Sequence, residues 1–177
     1  MELHGTTILG VRIDDDIAIG GDGQITLGDI AMKHKSCKVR KLYNNKVLTG
    51  FAGSAADAMT LMTRFEDKLE SFSGNLLRAA VELAKEWRTD KYLRHLEAML
   101  LVMDKDRTLV LSGNGEIIEP DDEVVSIGSG SGYALAAARA FIRAGVTFTP
   151  EEIVKESLLI TSNICLYTND HITTLTL

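Results

Sequence analysis

From Thr6 to Ile13 apolar and polar positions alternate and β-branched types are frequent, which predicts a strand. Asp14-Asp15-Asp16 reads as a charged turn and Ile17 to Gly21 as the return strand of a hairpin. Gly20-Gly21-Asp22-Gly23 then interrupts regular structure. A second hairpin follows from Val39 to Tyr43, the turn Asn44-Asn45, and Lys46 to Phe51. Beyond Ser54 the period changes from two to between three and four. Ala58, Met62, Phe65, Leu69 and Phe72 share one helical face, with Ser54 as cap and Ser73-Gly74 as stop. Leu76, Ala80, Leu83 and Trp87 repeat the pattern in a second helix.

Ala98 to Met103 is an unbroken apolar run, the mark of a strand buried on both faces. Thr108 to Ser112 is its expected partner, Asn114-Gly115 a turn before Glu116 to Ile118, and Val124 to Ile127 a further strand. Ser131 opens a third helix over Ala134 to Ala144. Thr149-Pro150-Glu151-Glu152 combines a cap, a proline in the first turn and a glutamate three positions on, so a fourth helix runs to about Ser162. His171 to Leu177 closes as a strand. Hairpins, two helices, strands, two helices and a strand predict an α+β domain with stacked sheets and helices outside.

Length and composition narrow this further. With 177 residues, 45% hydrophobic and 25% charged, the chain is expected to form one domain with a sizeable core. No 18-residue apolar run is present, so no membrane span is expected. Met1 to Gly5 has neither the basic nor the apolar stretch of a secretory signal. Two distant cysteines, Cys37 and Cys165, predict no disulfide framework and a reducing, cytoplasmic setting. A formal net charge of −6 argues against nucleic acid or an anionic membrane as partner. The one basic stretch, Lys33 to Lys41, has no interleaved aromatics and reads as a solvated strand edge.

Several familiar chemistries fail on spacing. In Gly128-Ser129-Gly130-Ser131-Gly132 the third glycine of a dinucleotide loop would fall at Tyr133. No glycine-rich loop ends in Gly-Lys-Ser/Thr, and no Gly-x-Ser-x-Gly elbow exists. His4, His34, His95 and His171 are too scattered for a zinc site or a histidine triad. What remains is Thr6-Thr7, directly after Gly5. A threonine hydroxyl needs a base beside it to become a nucleophile. A cut between Gly5 and Thr6 would create an α-amine on the same residue, with an unperturbed pKa of about 7.7–8.0, suited to a general base near neutral pH. On these residues alone, the start of a threonine-rich strand is the weightier reading.

The balance shifts with seven segments in register. These are Thr6-Thr7-Ile8, Gly21-Asp22-Gly23-Gln24, Lys38-Val39-Arg40-Lys41-Leu42, Gly50 to Asp57, Ala84 to Asp90, Ile127 to Gly130 and Ile164 to Asn169. Together they resemble the HslV (ClpQ) family of bacterial peptidase subunits, relatives of proteasome β subunits, over nearly the whole chain. The resemblance implies a four-layer αββα sandwich of the N-terminal-nucleophile hydrolase type. It implies removal of residues 1–5 as a short propeptide, leaving 6–177 as one threonine-peptidase domain.

By the same resemblance Thr6 is the nucleophile, Lys38 the ammonium beside it, and Asp22 the carboxylate that orients Lys38. Gly53 offers its N–H to the developing oxyanion, and Ser129 orients the threonine amine or a water. A monovalent cation, usually sodium, is held by backbone carbonyls at Ser162, Cys165 and Thr168, with Ser162 standing where the family usually has glycine. The implied partners are further copies of the chain in two stacked hexameric rings, an HslU (ClpY) ATPase hexamer that alone uses ATP, and unfolded protein substrates. Two alternatives remain open: an amidohydrolase that works without an ATPase, and a non-catalytic ring subunit.

Overall fold

The computed structural model describes residues 3–4, 6–93, 98–113 and 115–177. The first part runs β1 (Leu3–His4), β2 (Thr7–Ile13), β3 (Asp16–Gly21), β4 (Ile25–Leu27), β5 (Ile30–Lys33), β6 (Val39–Leu42) and β7 (Val47–Gly53). Helices α1 (Ala55–Ser71) and α2 (Leu76–Thr89) follow, then β8 (Ala98–Met103), β9 (Thr108–Ser112), β10 (Ile117–Ile118) and β11 (Val124–Gly128). Helices α3 (Ser131–Ala144) and α4 (Pro150–Ser162) and strand β12 (Thr173–Thr176) complete the order.

Two antiparallel sheets form the centre, one in the order β10-β9-β8-β7-β6 and the other β11-β2-β3-β12. Strand alternation divides the core into three apolar layers. In β8, Leu100 and Val102 face α1 and α2 while Leu101 and Met103 face the other sheet. In β2, Ile8 faces the sheet-to-sheet seam while Leu9 and Val11 pack under α3 and α4. The result is a four-layer αββα sandwich. The unbroken apolar run of β8 is thus explained by apolar neighbours on both its faces.

Caps form where the sequence places them. The Ser54 hydroxyl accepts from the Asp57 N–H, and Thr149 and Glu152 form a reciprocal capping box. Several boundaries shift from expectation: Thr6 lies just before β2 rather than in it, β7 runs from Val47 to Gly53 rather than from Lys46 to Phe51, and the closing strand starts at Thr173 rather than His171. Helix α3 opens at Ser131 as expected, with Gly130 as its cap. The pattern also did not predict the small sheet β1-β4-β5. All four residues of β5 are exposed and β4 has three residues, so neither carries a readable burial alternation. Of the predicted turn Asn114-Gly115, Asn114 lies outside the described residues, as do Met1, Glu2 and Gly5 of the expected prefix. Among the described residues, no helix is long and apolar enough to cross a membrane.

Candidate active site

The β2–β3 hairpin and strand β11 together set the position of Thr6. Ile8 pairs with Gly21, so Thr7 and Asp22 face each other one step further out. There the Thr7 N–H donates to Asp22 Oδ1 at 2.8 Å and the Asp22 N–H to the Thr7 carbonyl at 3.3 Å. On the other side Gly128 pairs with Thr7, and the Ser129 N–H donates to the Thr6 carbonyl at 2.9 Å. Gly128 has φ 96°, and a Cβ there would collide with the Thr6 carbonyl oxygen and stand 3.3 Å from Ala52 Cβ. The chain can therefore bring Thr6, Gly128–Ser129 and Ala52–Gly53 to one place only with glycine at 128. Thr6 itself is buried.

Asp22 is wholly buried and takes four donors. Besides the Thr7 N–H, these are Lys38 Nζ at 2.9 Å on Oδ1, and the N–H groups of Gln24 at 2.9 Å and Asn169 at 3.3 Å on Oδ2. Four hydrogen bonds offset the loss of water around the carboxylate. Lys38 is only 2% exposed, the buried exception in an otherwise basic, solvated stretch. Burial pushes its ammonium below the ordinary lysine range, and the charge and hydrogen bond of Asp22 pull it back up. The sequence thus delivers a desolvated cation, held by one carboxylate whose other donors include the amide next to Thr6.

Gly53 ends β7 opposite Ala98 and has φ 108°, so the backbone turns out of the sheet toward the cap of α1 in a conformation that favours glycine. Ser129 is exposed and enters the site through its backbone; the cap of α3 is Gly130, not Ser129. Ser162 is the last residue of α4 and is not among the described residues with positive φ, so its Cβ is unstrained. Cys165 is buried and Thr168 Oγ1 lies 2.7 Å from Thr7 Oγ1. Among the described residues, no group of three or more His, Cys, Asp or Glu side chains is placed to hold a metal. A cation at residues 162–168 would rely on hard carbonyl oxygens, which suit an alkali ion. Cys37 is exposed and both cysteines are free.

Three neighbours were given no role by the sequence pattern. The Thr7 hydroxyl accepts from the Gly130 N–H at 2.9 Å, tying β2 to the start of α3. Gln24 Nε2 donates to the Leu166 carbonyl at 2.8 Å, and Asn169 reaches three segments at once. Each lies inside one of the seven segments, which was the available signal.

The αββα sandwich thus brings Thr6, at the mouth of an inner strand, close to a buried lysine–carboxylate pair, and the comparisons with known proteins place the chain among peptidases of the N-terminal-nucleophile hydrolase type. The sequence matches the proteasome subunit family over residues 2–177, and the chain belongs to that family. It is similar to HslV from Trypanosoma brucei, with 45% identity over 96% of this chain and 98% of that one and a TM-score of 0.90. Two structures of Thiobacillus denitrificans BPH share the fold. One, in complex with epoxomicin, has 20% identity and a TM-score of 0.75; the other has 19% and 0.76; each covers 97% of both chains. The protein is a protease subunit of the proteasome type.

Proposed function

We propose that the chain is a threonine endopeptidase in which Thr6, freed by cleavage of the Gly5–Thr6 bond, is both nucleophile and base. The observation that carries this is the double use of Asp22 Oδ1, which receives Lys38 Nζ at 2.9 Å and the amide of the residue following Thr6 at 2.8 Å. One carboxylate thereby holds the buried ammonium beside the start of β2. The α-amine takes the Thr6 hydroxyl proton as Oγ attacks a peptide carbonyl. Lys38 stabilises alkoxide character on Oγ and disfavours a charged amine. The Gly53 N–H faces the developing oxyanion; one such donor is worth roughly 2.7–4 kcal/mol. Collapse breaks the C–N bond, the α-ammonium returning its proton to the leaving amine, and leaves an ester on Oγ; water, deprotonated in turn by the α-amine, hydrolyses it, with Ser129 orienting the amine or the water.

The carbonyls of Ser162, Cys165 and Thr168 would hold a monovalent cation, which would supply positive charge to the segment whose Thr168 touches Thr7. The likeness to HslV supports two stacked hexameric rings, an HslU-type ATPase hexamer as the only user of ATP, unfolded proteins as substrates and a cytoplasmic setting. Intact mass before and after an epoxyketone or vinyl sulfone tests the chemistry. The expected result is loss of Met1 to Gly5 and one adduct per chain, and for Thr6→Ala a retained prefix with no hydrolysis. A Thr6→Ala chain that still cleaves peptides overturns the assignment. Peptide hydrolysis with and without an ATPase ring separates this reading from an ATPase-independent amidohydrolase.

A further inference from the structure

Asp22 and Lys38 lie on different segments, the loop after β3 and the stretch before β6, and their contact requires those segments to keep a fixed spacing. Lys38 Nζ meets Asp22 Oδ1 at 2.9 Å, and a buried ion pair is worth little if its geometry relaxes. Where the two segments meet, one side chain bonds to both. Asn169 Oδ1 accepts from the Gly23 N–H at 3.0 Å, directly beside Asp22. Its Nδ2 donates to the His34 carbonyl at 2.9 Å, on the stretch leading to Lys38. Its own N–H donates to Asp22 Oδ2 at 3.3 Å, and Oδ1 also accepts from the His171 N–H at 3.2 Å. A carboxamide suits this position because it offers an acceptor and a donor in one rigid plane. The two segments touch here directly: a Cβ on Gly23 would collide with the His34 carbonyl, and the Ser36 N–H donates to the Gly23 carbonyl at 2.9 Å.

We infer that Asn169 is a positioning residue for peptide hydrolysis, its carboxamide clamping the Asp22 loop to the Lys38 segment at the spacing their contact needs. This rests on the reading that the pair serves Thr6. Asn169 follows Thr168, so the clamp also joins the pair to the segment after α4. It acts through Asp22 and Lys38 and touches no reacting atom.

The test compares Asn169→Leu, which keeps the approximate shape without polar atoms, and Asn169→Ser, which is too short to span both carbonyl and amide, in the full-length chain with and without an HslU-type ATPase. Peptide hydrolysis and the rate of vinyl sulfone labelling at Thr6 are measured on correctly assembled material. Displacing the pair by a fraction of an ångström predicts a fall in kcat of about 10- to 100-fold, with KM within about twofold and labelling slowed in parallel. Where Asn169→Leu does not assemble, Asn169→Ser decides. Unchanged kcat and labelling per assembled chain overturn the inference, as does a rise in KM at constant kcat. Thr6→Ala run alongside separates the two claims. If it is inactive while the Asn169 variants are normal, only the clamp is wrong; if it is active, the threonine reading itself is wrong.

Discussion

The two ends of strand β2 each hold a partly or wholly buried cation, and the two are built to opposite purposes. At the far end Arg12 leaves the four-stranded sheet and reaches the β8–β9 turn of the other. Its guanidinium donates to the carbonyls of Lys105 at 2.7 Å and Arg107 at 2.8 Å and to Thr108 Oγ1 at 3.1 Å. At the near end Lys38 pairs with Asp22, and Asp22 is shared with Thr7, Gln24 and Asn169. Burial lowers the pKa of both cations, and nearby acids raise them again: Asp104 and Asp106 for Arg12, Asp22 for Lys38. Arg12 spreads its charge over fixed carbonyls and pins two sheets together. Lys38 meets a carboxylate that also takes the N–H of Thr7, the residue after Thr6. The pin rests on neutral acceptors in a turn; the buried lysine rests on a carboxylate shared with three backbone amides.

Substitutions at the two ends should therefore separate activity from stability. The largest effect is expected for Lys38→Met, which removes the charge but keeps much of the bulk. kcat should fall by about 10²–10³-fold or more while assembly persists, checked by steady-state peptide hydrolysis and ring size. Retained activity would make Lys38 a pin like Arg12.

Asp22→Asn is expected next, and its signature is in the pH profile. The folded Lys38 titrates below the ordinary value of 10.5, so between its lowered pKa and 10.5 the folded chain binds fewer protons than the unfolded chain. Stability contributed by this group rises with pH through that window, while an activity that needs the ammonium falls. Removing the Asp22 charge lowers the Lys38 pKa further, so the alkaline limb of kcat/KM should move to lower pH. An unmoved limb would show that Lys38 does not set it.

Arg12→Met should do the reverse. Losing charged hydrogen bonds across the sheets costs about 1.5–3 kcal/mol, with kcat per assembled chain unchanged, measured by thermal unfolding beside peptide hydrolysis. The smallest effect belongs to Ser162→Gly. Because Ser162 is helical, glycine relieves no strain and costs about 0.5–1 kcal/mol. A rise in melting temperature would contradict that local geometry.

Much of the frame was legible along the chain because local periodicity reflects local burial. The α1 stripe Ala58, Met62, Phe65 and Leu69, the Thr149 capping box and the doubly buried β8 each report contacts within a few residues or one strand's two faces. The β4–β5 hairpin was not legible, since an exposed edge imposes no alternation. In the site, the seven segments singled out Thr6, Asp22 and Lys38. They gave no physical reason for preferring Lys38 to Lys33 or Lys35, which share its basic stretch yet stay exposed while Lys38 is buried.

By itself, then, the order of residues determined the strands, helices, caps and the set of reactive types, because those depend on near neighbours. Only the tertiary structure decided that Lys38 loses its water while its neighbouring lysines keep theirs, how Asp22 divides its two oxygens among its donors, and that Asn169 bridges the segments carrying both. These depend on contacts between positions as far apart as 16 residues for Lys38–Asp22 and 147 for Asn169–Asp22. Desolvation and hydrogen-bond geometry arise only when such distant segments close on each other, and no local pattern encodes them.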